Sequence, residues 1–236
     1  MLLEVDGISK AFRGVQALNG VSFKISEGEF VGLIGPNGSG KTTLFNVITG
    51  FLRPSAGRVL FDGQVVTGQA PSKTARRGLV RTWQSNLVIG GETVERNIEL
   101  FRNAADESRA AAISTREIAA MLGLEPFFDR TAGLCPHGVQ RKLGIAMGLA
   151  AVPRLLMLDE PLAGLSAAEV AQAIAAIRLA RDMFKTAILW VEHNVSAIMS
   201  TCHRVIVLSY GNFLADGAPV EIQSDEAVIE AYLGKS

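Results

Sequence analysis

Phe30-Val31-Gly32-Leu33-Ile34-Gly35-Pro36-Asn37-Gly38-Ser39-Gly40-Lys41-Thr42-Thr43-Leu44-Phe45-Asn46-Val47-Ile48 is the stretch on which the rest of the chain depends. A short apolar run gives way to a glycine-rich turn and then to a helical segment. Gly35, Gly40, Lys41 and Thr42 stand at the spacing of a phosphate-binding P-loop. The chemistry needs these residue types. Glycines let successive backbone N–H groups converge on one anion. The helix that follows adds the positive end of its dipole. Lys41 can reach the β- and γ-phosphates of a nucleotide, and the Thr42 hydroxyl can ligate Mg²⁺. A turn that merely caps a helix would not need the lysine and the threonine at that spacing.

Outward from this stretch, strand and helix signals alternate. Residues 2–8, Val21–Ile25 and Gly57–Phe61 read as strands. The helix after the P-loop is stopped by Gly50 and Pro54. Residues 71–77 read as helix, with Pro71 in its first turn. Leu79–Gln84 read as a strand running into a loop with Gly90-Gly91. From Thr93 to about Leu124 the pattern is helical and alanine-rich, and Gly138–Ala150 is a further helix. Leu155–Leu158 and Ala187–Val191 are continuous apolar runs of the kind that form buried parallel strands. Ser166-Ala167-Ala168-Glu169 is a capping box opening another helix, and Asn194 is a helix N-cap for 195–201. Val205–Leu208 and 212–215 read as strands around Tyr210-Gly211, and helices near 219–223 and 225–233 end the chain.

Lysine plus arginine and aspartate plus glutamate are both 23 in 236 residues, so the formal net charge is zero. That balance gives no electrostatic reason to expect nucleic acid as a partner. The two cysteines, Cys135 and Cys202, are too few for a disulfide framework and fit a reducing cytoplasm. Each has a histidine nearby (His137 and His203), but the two pairs are far apart and unlike zinc spacings. The N-terminal residues do not read as a secretory leader. No uncharged run approaches the ~18 apolar residues of a membrane span. The chain reads as soluble by itself, with any membrane part supplied by other chains.

A second nucleotide element is Leu155-Leu156-Met157-Leu158-Asp159-Glu160. A buried strand ending in Asp159 delivers a carboxylate to the carboxyl edge of a parallel sheet, where ligands bind. Asp159 suits a Mg²⁺ sphere, and Glu160 suits activation of a water.

With these residues in place, the chain resembles the nucleotide-binding subunits of ATP-binding cassette (ABC) transporters from end to end. Phe12 matches the aromatic that stacks on adenine. Gly35, Pro36, Asn37, Gly38, Ser39, Gly40, Lys41, Thr42 and Thr43 match Walker A. Gln84 matches the Q-loop, residues 136–140 the signature region, 155–160 Walker B, 161–166 the D-loop and His193 the H-loop. The resemblance implies an α/β fold: a RecA-like P-loop NTPase core with an antiparallel β subdomain and an α-helical signature subdomain. As a single domain over 1–236, it would place the core and β subdomain in 1–92 and 151–236 and the helical subdomain in 93–150.

The resemblance also implies roles. Glu160, His193 and Gln84 would be catalytic, and Thr42, Gln84 and Asp159 would hold Mg²⁺. Val88, Ile89 and the residues just before them would face a transmembrane partner. ATP would be sandwiched between two head-to-tail subunits, with Gly138 contributing to the partner's site. Where the family has Leu-Ser-Gly-Gly-Gln, this chain aligns Cys135-Pro136-His137-Gly138-Val139, and only Gly138 matches. Pro136 has neither hydroxyl nor N–H. A second ATPase that is a paralogue is therefore favoured over a second copy.

Thr82-Trp83-Gln84, Glu192-His193-Asn194 and the tail Val228–Gly234 are similar to the branch that imports branched-chain amino acids. That branch implies integral-membrane permeases, a periplasmic substrate-binding protein, no nucleic acid, and a peripheral seat on the cytoplasmic face of the inner membrane. A urea or amide importer of the same branch and a non-transport ABC ATPase are the alternatives.

Overall fold

The structure, a computed structural model, describes residues 1–83, 88–103 and 112–233. The chain forms two compact units, Met1–Ala75 with Ala187–Ser236, and Arg76–Thr186.

In the first unit, β1 (Leu3–Phe12), β2 (Val15–Ile25), β4 (Ala56–Phe61) and β5 (Gln64–Val65) form an antiparallel sheet in the order β2-β1-β4-β5. The alternation in β2 explains its register: Val21, Phe23 and Ile25 are buried while Ser22 and Lys24 are exposed. Both strands run longer than their alternation suggests. Register shifts after Val5, Ile8 and Lys10 break the period in β1, so the pattern fades while the pairing continues to Phe12 and Val15. Arg13 and Gly14, at φ 45° and 88°, form the tight turn between them.

The same unit holds β3 (Phe30–Ile34), β8 (Ala187–Val191), β9 (Arg204–Ser209) and β10 (Asn212–Gly217), in the order β10-β9-β3-β8. β3 is parallel to both neighbours, with Leu33 opposite Val191 and Ile34 opposite Val207. Every residue of β3 and β8 is buried, which their unbroken apolar runs require. The Phe30 and Trp190 rings pack with centroids 5.7 Å apart. Helix α1 (Lys41–Ile48) follows β3, and α7 (Val195–Thr201) follows β8. A Cβ at Gly32 would lie 2.4 Å from Ile198 Cγ2, so α7 sits directly on the strand that feeds the P-loop. Helices α8 (Pro219–Ser224) and α9 (Glu226–Leu233) close the unit.

In the second unit, β6 (Leu79–Arg81) and β7 (Leu155–Asp159) are parallel, with Arg81 opposite Met157. Around them run α3 (Val94–Asn103), α4 (Thr115–Met121), α5 (His137–Ala150) and α6 (Ala167–Phe184); α2 (Pro71–Arg76) leads into the unit. The capping box at Ser166 and Glu169 is formed as its spacing predicts. A second one, Ser114 with Glu117, opens α4. Among the described residues, no helix is long and apolar enough to cross a membrane.

Candidate functional site

The P-loop keeps its shape because two of its glycines admit nothing else. Gly35 has φ 153°, and a Cβ there would lie 2.2 Å from the Leu208 carbonyl oxygen. Gly40 has φ 98°, and its Cβ would lie 2.6 Å from the Ala17 carbonyl oxygen. Between them Ser39 is buried, and its carbonyl accepts from the Gly211 N–H at 3.1 Å. The loop is thus held by the β9–β10 turn, while Asn37, Gly38 and Thr42 stay exposed. No side chain caps α1, whose first residue is Lys41. Lys41 Nζ donates to the Gly35 and Pro36 carbonyl oxygens at 2.7 and 3.1 Å. A helix N-terminus beside an ammonium is chemistry that suits a phosphate chain. Tyr232 of α9 comes against the start of this loop: burial pushes its phenol up, and the backbone of Gly35 partly offsets that.

His193 emerges from the same sheet edge. β8 ends beside β3 in register, at Val191 opposite Leu33. Glu192 is then buried and accepts from the His193 N–H at 3.1 Å, while the His193 residue itself is exposed. Asn194 caps α7 through Oδ1, which accepts from Ala197 N–H at 3.1 Å. Phe12 stands at the tip of β1, 42% exposed, with Lys10 Nζ 5.1 Å from its ring centroid. An aromatic held open in this way is available for stacking.

In the second unit, β7 carries Asp159 to its carboxyl end. The carboxylate is buried, and its Oδ2 accepts from Arg81 Nη2 at 2.7 Å. Glu160 follows at φ 50°, a conformation a glutamate adopts at a cost of about 1–3 kcal/mol. Such strain concentrates where side-chain direction matters. The signature region opens α5. Pro136 is the N-cap residue and offers no side-chain cap; His137 is exposed. A Cβ at Gly138 would lie 2.9 Å from Glu169 Oε1, the end of a flexible side chain of α6 that can swing aside. Arg141 Nε donates to the Ala163 carbonyl at 3.2 Å, and Lys142 pairs with Glu169 at 3.7 Å. These contacts tie the start of α5 to residues 161–169.

Of the residues singled out by sequence, Phe12, 35–43 and His193 lie in the first unit. Gly138, Asp159 and Glu160 lie in the second. Gln84 and the residues Ser85, Asn86 and Leu87 lie outside the described residues; Ile89 is exposed. Arg81 was not anticipated, although a charge at the end of the apolar Leu79-Val80 run was its signal. Thr42 hydroxyl and Asp159 carboxylate are hard oxygen donors. Each by itself is the kind of ligand that a hard divalent cation such as Mg²⁺ takes.

Comparison with known proteins gives the family. Residues 18–163 match the family model of the ABC transporter, and residues 214–236 match that of the branched-chain amino acid ATP-binding cassette transporter. The chain is 37% identical to the high-affinity branched-chain amino acid transport ATP-binding protein BraF of Pseudomonas aeruginosa, over 100% of this chain and 98% of that protein. It is 35% identical to LivG of Escherichia coli, a protein of the same description, again over 100% and 98%. The lipopolysaccharide export ATP-binding protein LptB of Escherichia coli is 32% identical over 99% and 97%. Among solved structures, an ABC transporter cassette in its ADP conformation superposes with a TM-score of 0.83 at 28% identity, covering 99% of each chain. The chain belongs to the ATP-binding subunits of ABC transporters. It is an ATPase with a P-loop NTPase fold.

Proposed function

We propose that the chain powers an importer of branched-chain amino acids. It would sit at the cytoplasmic face of the inner membrane on integral-membrane permeases, served by a periplasmic substrate-binding protein. The observation that carries this reading is the tail. Most of β10 and all of α8 and α9 fall in the 214–236 match to the branched-chain amino acid cassettes.

In this reading the P-loop N–H groups and Lys41 bind the β- and γ-phosphates, and Phe12 stacks on the base. Glu160 takes a proton from the water that attacks the γ-phosphorus, as the bond to the β-phosphate oxygen breaks. His193 hydrogen-bonds the γ-phosphate and keeps the water aligned. Thr42, Asp159 and Gln84 would hold Mg²⁺, which when bound offsets the phosphate charge. Gly138 serves the partner's nucleotide. The partner is a paralogue: Pro136 and His137 make a poor signature, and a homodimer would carry that weakness twice.

The two ATP sites are therefore unequal. The site on this chain hydrolyses, and the site it completes for its partner is weaker. Losing one charge-stabilising donor typically costs about 3–4 kcal/mol of barrier. Glu160→Gln in this chain should abolish more ATPase activity than the matching substitution in the partner. Equal losses would overturn the asymmetry.

The test of the whole reading is co-purification with permeases from solubilised membranes, followed by ATP-driven uptake into proteoliposomes. Labelled leucine should enter when the binding protein is present. Uptake of urea or an amide instead would move the assignment within the branch. ATP-driven outward movement would favour an export role, such as the name of LptB describes. A membrane-free complex would remove transport altogether.

A further inference from the structure

Arg81 closes β6, an otherwise apolar strand, and its side chain is 4% exposed against 6% for Asp159. Nη2 lies 2.7 Å from Oδ2 of Asp159, and the guanidinium carbon lies 4.3 Å from the centre of the Trp83 ring. The arrangement is braced at the backbone. Thr82 N–H donates to the Met157 carbonyl at 2.9 Å, and Asp159 N–H donates to Thr82 Oγ1 at 3.5 Å. A Cβ at Gly148 would come within 2.8 Å of Thr82 Cγ2, so α5 presses on the same turn. Among the described residues no hydrogen bond reaches Asp159 Oδ1. One carboxylate oxygen is thus held by the arginine, and the other is left for another cation.

A buried ion pair is a poor source of stability, because desolvation offsets its attraction. Apolar residues would fill the end of β6 as well. The position of Arg81 is instead explained by the charge of Asp159. We propose that Arg81 is a positioning residue: it is the resident counter-ion of Asp159, from which a divalent cation takes over the carboxylate, and it passes that exchange to Trp83. This rests on the reading of Asp159 as a Mg²⁺ ligand. A dication at Oδ1 repels a guanidinium at Oδ2. The face of Arg81 already docked on Trp83 is where the displaced cation settles, since an indole face attracts a cation. Trp83 precedes Gln84 directly and lines a cavity of about 100 Å³ with Phe101, Ile145 and Met147. Metal occupancy at Asp159 thereby reaches the segment after β6.

The chain has two tryptophans, so 5-fluorotryptophan labelling gives two ¹⁹F resonances, assigned with Trp83→Phe. The labelled chain is saturated with ADP and titrated with Mg²⁺. The Trp83 resonance should shift while that of Trp190 stays. Arg81→Met and Arg81→Gln should lower the Mg²⁺ concentration for half-saturation, read by calorimetry of the ADP-saturated chain, roughly tenfold, because a competing positive charge is gone, and should remove the Trp83 shift. Arg81→Lys should restore both. ADP binding in EDTA, within twofold of wild type, checks that the variants are folded. A half-saturation that is unchanged or raised in the neutral variants overturns the proposal. So does a wild-type Trp83 resonance indifferent to Mg²⁺, a result that needs no substitution at Arg81. If Asp159→Asn keeps the wild-type Mg²⁺ midpoint, the metal role of Asp159 fails and the proposal with it. The Arg81 results alone leave that role standing.

Discussion

Lys41 Nζ donates to the Gly35 carbonyl oxygen at 2.7 Å, so the cation of the P-loop is held by the loop's own backbone. A phosphate oxygen that binds Lys41 must compete with two carbonyls, of Gly35 and Pro36. It succeeds because it carries charge and they do not. Hydrogen bonds to charged groups contribute about 1.5–3 kcal/mol each. Lys41→Ala should therefore weaken ATP binding by about ten- to a hundredfold by calorimetry, with ATPase activity lost in the assembled complex. Unchanged affinity would show that the phosphates bind elsewhere.

The glycines of the loop separate strain from collision. Gly38 has φ 79° with nothing within 4 Å of its Cβ position, whereas Gly40 would push a methyl to 2.6 Å from the Ala17 carbonyl oxygen. Gly38→Ala meets only the left-handed backbone cost, about 1 kcal/mol. Gly40→Ala adds a backbone clash, so its loss should be at least about 3 kcal/mol, or a Tm drop of roughly 6–12 °C. Calorimetric unfolding of both variants checks this. Equal Tm values would sink it.

What could be read in the sequence was whatever sits on consecutive residues. The P-loop, the apolar runs of β7 and β8, the Ser166 capping box and the Asn194 cap each declare themselves within a few positions. Local chemistry fixes them without help from the rest of the chain. Features that depend on pairing across the chain were hidden. β1 and β2 extend to Phe12 and Val15 because bulges interrupt the alternation while the ladder continues. Gly138 reads as part of a ligand motif, and nothing local names Glu169 of α6 as its neighbour. The Arg81–Asp159 pair spans 78 positions, and nothing in either local segment names the other.

Phe12 gives a prediction in which affinity and stability part company. Its ring is 42% exposed, so removing it takes little from the core. Stacking of a base on an aromatic contributes roughly 1–3 kcal/mol and tolerates different bases. Phe12→Ala should raise the Kd for ATP and GTP alike, by about five- to a hundredfold, with Tm nearly unchanged. Phe12→Trp should retain affinity. If Phe12→Ala lowers Tm and leaves affinity alone, the ring is structural.

The last prediction concerns pH. The Ser166 backbone N–H and hydroxyl hold the Glu169 carboxylate below its ordinary value of 4.5, with Lys142 adding a smaller effect in the same direction. A carboxyl whose folded-state pKa is lowered stabilises the fold above its unfolded value, and that stability is lost as pH falls through the lowered one. Glu169→Gln keeps the amide oxygen as a cap acceptor and removes only the charge. At pH 7 it should cost about 0.5 kcal/mol, the scale of a carboxylate at a helix N-terminus. The difference from wild type should shrink below pH 4.5 and vanish in stronger acid. Ser166→Ala removes the cap itself and should cost about 1 kcal/mol at every pH at which the chain is folded. Urea unfolding of the three proteins from pH 7 down to 3.5 separates the two effects. A Glu169→Gln deficit that persists undiminished in acid would mean that the carboxylate acts through packing against Gly138 and not through its charge.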